Sequence, residues 1–177
     1  MGDWQTWLRS GSILVGVVLV AFIGHYVLFS PIKRFTQRTG STFDDSLFRH
    51  GQKPAKVLFP LLAVFLVLPI LQLPPDLMEL IRHVIGLGLI ASTAWLIIDL
   101  TEVFDDLVST KYKIDIRDNL AARKIRTQIE MLHRISVVVV SFIAISLMLM
   151  TFPSIRHLGA SLLASAGLAG LVVGITA

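Results

Sequence analysis

Residues 158–177, from Leu158 to Ala177, read LGASLLASAGLAGLVVGITA. The stretch has no charge, no proline and no aromatic residue. Twenty residues at about 1.5 Å of rise each match about 30 Å of bilayer hydrocarbon, so a helix here is long enough to cross a membrane. Small residues recur along it at helical spacing. Ala160 and Ala164 are four apart, as are Ser161 and Ser165, and Ala166, Gly170 and Gly174 continue the pattern with Gly167 beside them. Leu162, Leu163, Leu168, Leu171 and Ile175 project between those rows. Lipid tails give helices no hydrophobic reason to associate, so close backbone approach has to supply the contact. Two readings follow: small-residue packing inside a membrane bundle, or a ring of identical helices around a pore.

The remainder of the chain has the same solvent preference. Apolar residues make up 54% and charged residues 16%, with a mean hydropathy of +0.75. That is an integral membrane composition rather than a soluble core. There is no cysteine, which removes a disulfide framework and a thiolate metal site. In such a chain the formal charge of +4 marks loops on the cytoplasmic side rather than a nucleic-acid surface. No solenoid-length repeat and no second, soluble domain is visible. Because the sequence closes on a membrane-like helix without a polar tail, the expectation is a piece of a longer chain.

Taken in order, residues 1–10 form a short polar start in which Trp4 and Trp7 suit the headgroup level. Met1-Gly2 with Thr6 matches a myristoylation pattern formally, but the external N-terminus reached below excludes it. Residues 11–30 are the first span, with His25 near its end read as interfacial. Residues 31–56 are a basic connection in which Thr42 followed by Asp45 reads as a helix start, with Phe43, Leu47 and Phe48 as its apolar side. Asp44 and Asp45 lack a third ligand at helical spacing and read as cap and solvated carboxylate, not as a metal site. Residues 57–73 are the second span, and Gln72, Pro74, Pro75 and Asp76 read as a short turn. Residues 84–100 are the third span. Its terminal Asp99, followed by Glu102, Asp105 and Asp106, reads as a helix emerging into water.

Residues 101–134 are a second basic connection. From Asp118, a plausible N-cap, DNLAARKIRTQIEMLHRI reads as a helix with Ala121, Ile125, Ile129 and Leu132 on its apolar side. It runs without a breaker into the fourth span, residues 135–152. Arg123, Lys124, Arg126 and Arg134 sit just before that span, where basic side chains hold anionic lipid headgroups or mark topology. Pro153 stops the helix, a tight turn follows, and residues 158–177 are the fifth span.

Lysine and arginine are distributed unevenly. The two long connections carry thirteen of the sixteen, and Arg9, Arg82 and Arg156 are the rest. The positive-inside rule makes the long connections cytoplasmic, the N-terminus external and Ala177 cytoplasmic.

The runs DNLAARKIRTQIEMLHRI and FPSIRHLGASLLASAGLAGLVVGITA together resemble the small-conductance mechanosensitive (MscS-like) channel family, and RTGSTFDDSL resembles the first cytoplasmic loop of its five-span members. The resemblance implies an all-α integral membrane fold with five transmembrane helices, the last lining the pore of a homoheptamer. It implies a bacterial inner (plasma) membrane location and opening by tension to release ions and small osmolytes under hypo-osmotic stress. It also implies that the last span kinks into an amphipathic helix and a cytoplasmic β-rich vestibule, and residues 1–177 hold no such continuation. Aligned on the glycines, the family's packing face falls on Ala160, Ala164, Gly167, Gly170 and Gly174. Its constricting positions fall on Leu171 and Ile175, and Ile175 replaces the usual leucine.

The function expected from the sequence is therefore a tension-gated channel with membrane lipids, copies of itself and permeant ions as partners, and no cofactor. The alternative is a non-conducting sensor or accessory module. An enzyme is disfavoured, because His25, His50, His83, His133 and His157 are scattered and no nucleophile–base pair, metal cluster or phosphate loop is present.

Overall fold

Hydrocarbon offers no partner to a free N–H or C=O, so an apolar chain of this kind satisfies its backbone internally. The computed structural model describes residues 3–39, 42–71, 73–111 and 120–176, and among them only helices and turns occur. In order they are α1 (Asp3–Thr39), α2 (Thr42–Val67), a 3-10 turn (Leu68–Ile70), α3 (Pro75–Lys111), α4 (Leu120–Met150), a second 3-10 turn (Pro153–Ile155) and α5 (Arg156–Thr176). Five helical segments are long and apolar enough to cross a membrane: Leu8–Val27, Ser46–Ile70, Pro75–Val103, Thr127–Met150 and Pro153–Thr176, the second running into the 3-10 turn after α2 and the last counted from the turn ahead of α5. The chain thus has the all-helical architecture of a multi-pass membrane protein.

Each helix packs chiefly on its neighbours in sequence: α1 on α2, α2 on α3, α3 on α4 and α4 on α5. Cross-helix contacts fix these pairs as antiparallel. His25 of α1 meets the Phe59 ring of α2 with centroids 5.8 Å apart. Ser46 at the start of α2 reaches Asp106 near the end of α3, and Thr101 of α3 reaches His133 of α4. α3 packs on both α2 and α4 and leaves large apolar side chains such as Leu80 and Val84 exposed, so its apolar residues cover its circumference rather than one stripe.

α1 and α3 are each 37 residues long, about 55 Å at helical rise and well beyond the hydrocarbon thickness. The surplus explains where the helices depart from the spans read from sequence. α1 continues through Pro31 to Thr39, so the first basic connection is largely helical. α2 begins at Thr42, where the sequence placed a helix start, and passes through Pro54 and Pro60. The Pro74 turn is shorter than read, because Pro75 is already the first residue of α3 and Asp76 lies in its first turn. Proline suits that position, since its missing N–H is one that a helix start leaves unpaired. Asp118 lies outside the described residues, and α4 then runs unbroken from Leu120 to Met150.

His25, near the end of the first span, is only 4% exposed within the chain and lies against Phe59 of α2.

The joint between α4 and α5 is tight. Phe152 is extended (φ −92°, ψ 117°), the conformation a following proline imposes, and Pro153 opens the 3-10 turn. α5 then folds back so closely that a Cβ built on Gly159 would lie 2.7 Å from Met150 Cγ and collide with the Ser146 carbonyl oxygen. Ser146 is fully buried and donates its hydroxyl to the Phe142 carbonyl (2.8 Å), so it presents no unpaired proton to the seam. Gly88 is a milder case, since a Cβ there would meet only Leu61 Cδ1, at 3.1 Å. Gly159→Ala is therefore expected to lower stability by about 1–3 kcal/mol, read as a drop in Tm, because backbone has to move. Gly88→Ala is expected to change Tm much less, because the Leu61 side chain can rotate. Equal effects from the two would contradict the Gly159 seam.

Candidate functional site on the last helix

The burial of α5 has a simple pattern. Gly159 is buried, Leu162, Leu163 and Ala166 are half-buried, and every described side chain from Gly167 onward is exposed. At about 100° per residue, those first four positions share one face. That face is the seam with α4, and the seam ends near Ala166. Opposite it stand Leu168, Leu171, Val172 and Ile175, at 68%, 60%, 60% and 77% exposed. Between seam and ridge lie two flanks of small residues. Ala160, Gly167 and Gly174 occupy one, and Ser165 and Ala169 the other. Ala164 lies in line with the ridge, between the bearings of Leu171 and Ile175 and nearer the start of α5. Gly170 lies on the seam side but past its end.

The structure therefore places Leu171 and Ile175 together on one exposed ridge, one turn apart. The five small positions Ala160, Ala164, Gly167, Gly170 and Gly174 are all exposed. A Cβ added at Gly167, Gly170 or Gly174 would meet nothing within 4 Å. Within one chain these glycines relieve no crowding, unlike Gly159. The sequence reading passed over Gly159. Its signal was available in the small residue set four positions after Ile155 and three before Leu162, on the face that turns back from Pro153.

The hydroxyls on α5 need no partner. Ser161 donates to the His157 carbonyl (2.8 Å) and Ser165 to the Ser161 carbonyl (2.9 Å). Each hydroxyl is satisfied by its own helix, so Ser161 and Ser165 behave as small residues toward any neighbour.

A second group of polar side chains gathers where α2 begins and α3 ends. Ser46 Oγ donates to Asp106 Oδ2 (2.5 Å), and Arg49 Nη2 lies 3.1 Å from the same oxygen. His50 Nε2 lies 2.9 Å from Glu102 Oε2, and His50 Nδ1 lies 3.0 Å from the Ser46 carbonyl. Glu102 and Asp106, read from sequence as a helix emerging into water, are partly exposed and also partner α2. Nearby, Thr101 Oγ1 lies 2.7 Å from both the Ile98 carbonyl and His133 Nδ1. A threonine has one hydroxyl proton and the carbonyl can only accept, so the bond with His133 is donated by Nδ1. The side chains of Arg123, Lys124 and Arg126 lie outside the described ones, and Arg134 is exposed. Among the described residues no set of three or more His, Asp or Glu is arranged to hold a metal.

Comparison with known protein families, with characterised proteins and with solved structures gives no significant match. The functional reading therefore rests on the residues themselves. If the small-residue flanks of α5 are used between chains, Gly167→Leu leaves the helix content and Tm of the single chain unchanged, since a Cβ there meets nothing within 4 Å, but removes the oligomer seen by chemical cross-linking in membranes. An unchanged oligomer would take Gly167 out of the contact.

Proposed function

We propose that the chain is the membrane part of a tension-gated ion channel in which copies of α5 surround a pore. One observation carries this reading: α5 is tied to its own chain along a single short seam and opens a large apolar ridge, flanked on both sides by small residues, away from that seam. A helix with this division has a back, two sides that admit close neighbours, and a front. In a closed ring the flanks of successive copies meet and the front faces the axis. The resemblance of residues 118–177 to the MscS-like family assigns the same division. The reading inherits from it a homoheptamer, a bacterial inner membrane location and release of ions and small osmolytes under hypo-osmotic stress.

In this mechanism Leu171 and Ile175 form two stacked apolar rings. A constriction of that kind blocks ions by excluding water rather than by a plug. α1–α4 lie toward lipid, with the basic ends of the helices cytoplasmic by the positive-inside rule. Tension favours the state of larger in-plane area, and its effect on the equilibrium is the difference between the two states. The pull reaches α5 through Pro153 and the Gly159 seam, which join it to α4 at one end only. Exposed Arg134 and the neighbouring Arg123, Lys124 and Arg126 take the lipid-contacting role at the cytoplasmic surface. A non-conducting sensor module accounts for the five spans equally well, but it gives the open face of α5 no task.

The test is patch-clamp recording from liposomes carrying the full natural chain, with suction applied. Stepwise currents that appear only under tension support the channel, and silence from inserted, oligomeric protein overturns it. Leu171→Ser and Ile175→Ser each wet the closed constriction. Each is expected to raise the open-to-closed ratio at fixed tension by at least about tenfold, or about 1.4 kcal/mol. Unchanged thresholds in both would place the gate elsewhere.

A further inference from the structure

Lysine and arginine gather in the two basic connections, and Arg82 is one of three that stand apart from them. The positive-inside rule gives such a residue no role in a cytoplasmic loop. The fold gives it no partner either. Among the described residues neither Arg82 nor Glu79, one helical turn before it on α3, takes part in an ion pair. Both are exposed, and both line a cleft of about 630 Å³ between the end of α2, the first turns of α3 and the end of α4.

The other walls of the cleft are mostly apolar. Phe65 comes from α2 and Met78 from α3, and Thr151 stands just past α4. The Thr151 hydroxyl donates to the Met148 carbonyl (2.6 Å), so it asks nothing of an occupant. Gly86 lies one turn beyond Arg82, and a Cβ there would meet nothing within 4 Å. Its missing side chain therefore leaves the cleft open rather than relieving a clash. His83 lines the cleft too, and its Nε2 is buried without a hydrogen-bond partner. In either tautomer of the ring that nitrogen lacks a donor or an acceptor, which is costly in a buried place.

Depth and charge narrow the occupant. The apolar segment of α2 ends at Ile70 and that of α3 begins at Pro75, so the cleft opens where hydrocarbon gives way to headgroups. An anion alone would be opposed by Glu79, and a cation alone by Arg82. A group that carries both charges a few bonds apart meets each with its complement through charge-assisted hydrogen bonds. We propose that the cleft binds one amine-bearing phosphodiester, with its phosphate on Arg82, its ammonium on Glu79 and an attached chain along Phe65 and Met78. That chemistry is shared by a phosphatidylethanolamine headgroup and by free glycerophosphoethanolamine. The inference does not rest on ion conduction, since a single chain builds the cleft. It bears on the last helix all the same. Phe152, next to Thr151, packs on His83 with ring centroids 4.4 Å apart, so an occupant abuts the joint between α4 and α5.

The test is native mass spectrometry of the full chain, delipidated in detergent and titrated separately with dihexanoyl phosphatidylethanolamine, dihexanoyl phosphatidylglycerol and glycerophosphoethanolamine. The wild type is expected to hold one phosphatidylethanolamine per chain, about tenfold more tightly than phosphatidylglycerol, which keeps the phosphate and lacks the amine. Glu79→Gln is expected to erase that preference, and Arg82→Gln to raise the Kd of both lipids by about tenfold. Gly86→Leu is expected to block both by filling the cleft. Glycerophosphoethanolamine bound as tightly as the lipid sustains the site with a soluble ligand, and weaker binding of it sustains the site with the lipid. Equal retention of the two lipids by the wild type, or a preference that survives Glu79→Gln, would overturn the proposal. Should Gly86→Leu fail to fold, the two variants at exposed positions, Glu79→Gln and Arg82→Gln, decide by themselves.

Discussion

The seam at Gly159 is the contact on which the arrangement of the last helix depends. A side chain there would strike the backbone of α4 at Ser146 and Met150, so only glycine lets α5 lie against α4 over its first turns. Pro153 makes the reversal abrupt by holding Phe152 extended, and His83 of α3 braces it, the His83 and Phe152 ring centroids lying 4.4 Å apart in a T-shaped arrangement. Beyond Ala166 the seam is finished. The second half of α5, with its glycines and its leucine, valine and isoleucine ridge, is free of its own chain. A tight attachment at one end and open surface at the other suits a helix that has to meet other copies and move relative to its own bundle.

The hydrogen-bond economy of the chain separates two kinds of polar residue. Ser146, Ser161 and Ser165 spend their hydroxyls on carbonyls one turn back in the same helix, and so enter the apolar region without seeking a partner. Ser46, Thr101, His50 and His133 reach across helices instead, at the start of α2, in the last third of α3 and near the middle of α4. A cross-helix bond holds two elements in register, and these bonds gather toward one end of the apolar segments of α2, α3 and α4.

Much of the fold is legible in the sequence, for one physical reason: a span needs about twenty apolar residues, and five such runs stand out. Thr42 as a helix start and Pro153 as a stop are equally local signals. The extent of the helices is less legible. Ser30-Pro31 looks like an ending, yet α1 passes through it, because a proline removes a single hydrogen bond while neighbouring turns persist. The pairing of His50 with Glu102 and of Ser46 with Asp106 cannot be read from spacing, since the partners are fifty or more positions apart and meet only once α2 and α3 are antiparallel. His25 is a similar case, decided by which way α1 faces. On α5 the sequence shows the small residues but not their two uses. Gly159 serves the chain's own α4, whereas Gly167, Gly170 and Gly174 meet nothing in it.

The central claim is that the two small-residue flanks of α5 belong to neighbouring copies. The chain has no cysteine, so a pair introduced on opposite flanks is unambiguous. The most direct measurement is oxidative cross-linking, in membranes, of the full chain carrying Gly167→Cys and Ala169→Cys together. Flank-to-flank rings give a ladder of covalent multimers that stops at one closed size, while either cysteine alone gives little product. A population that stays monomeric would contradict the claim and leave the open face of α5 to lipid.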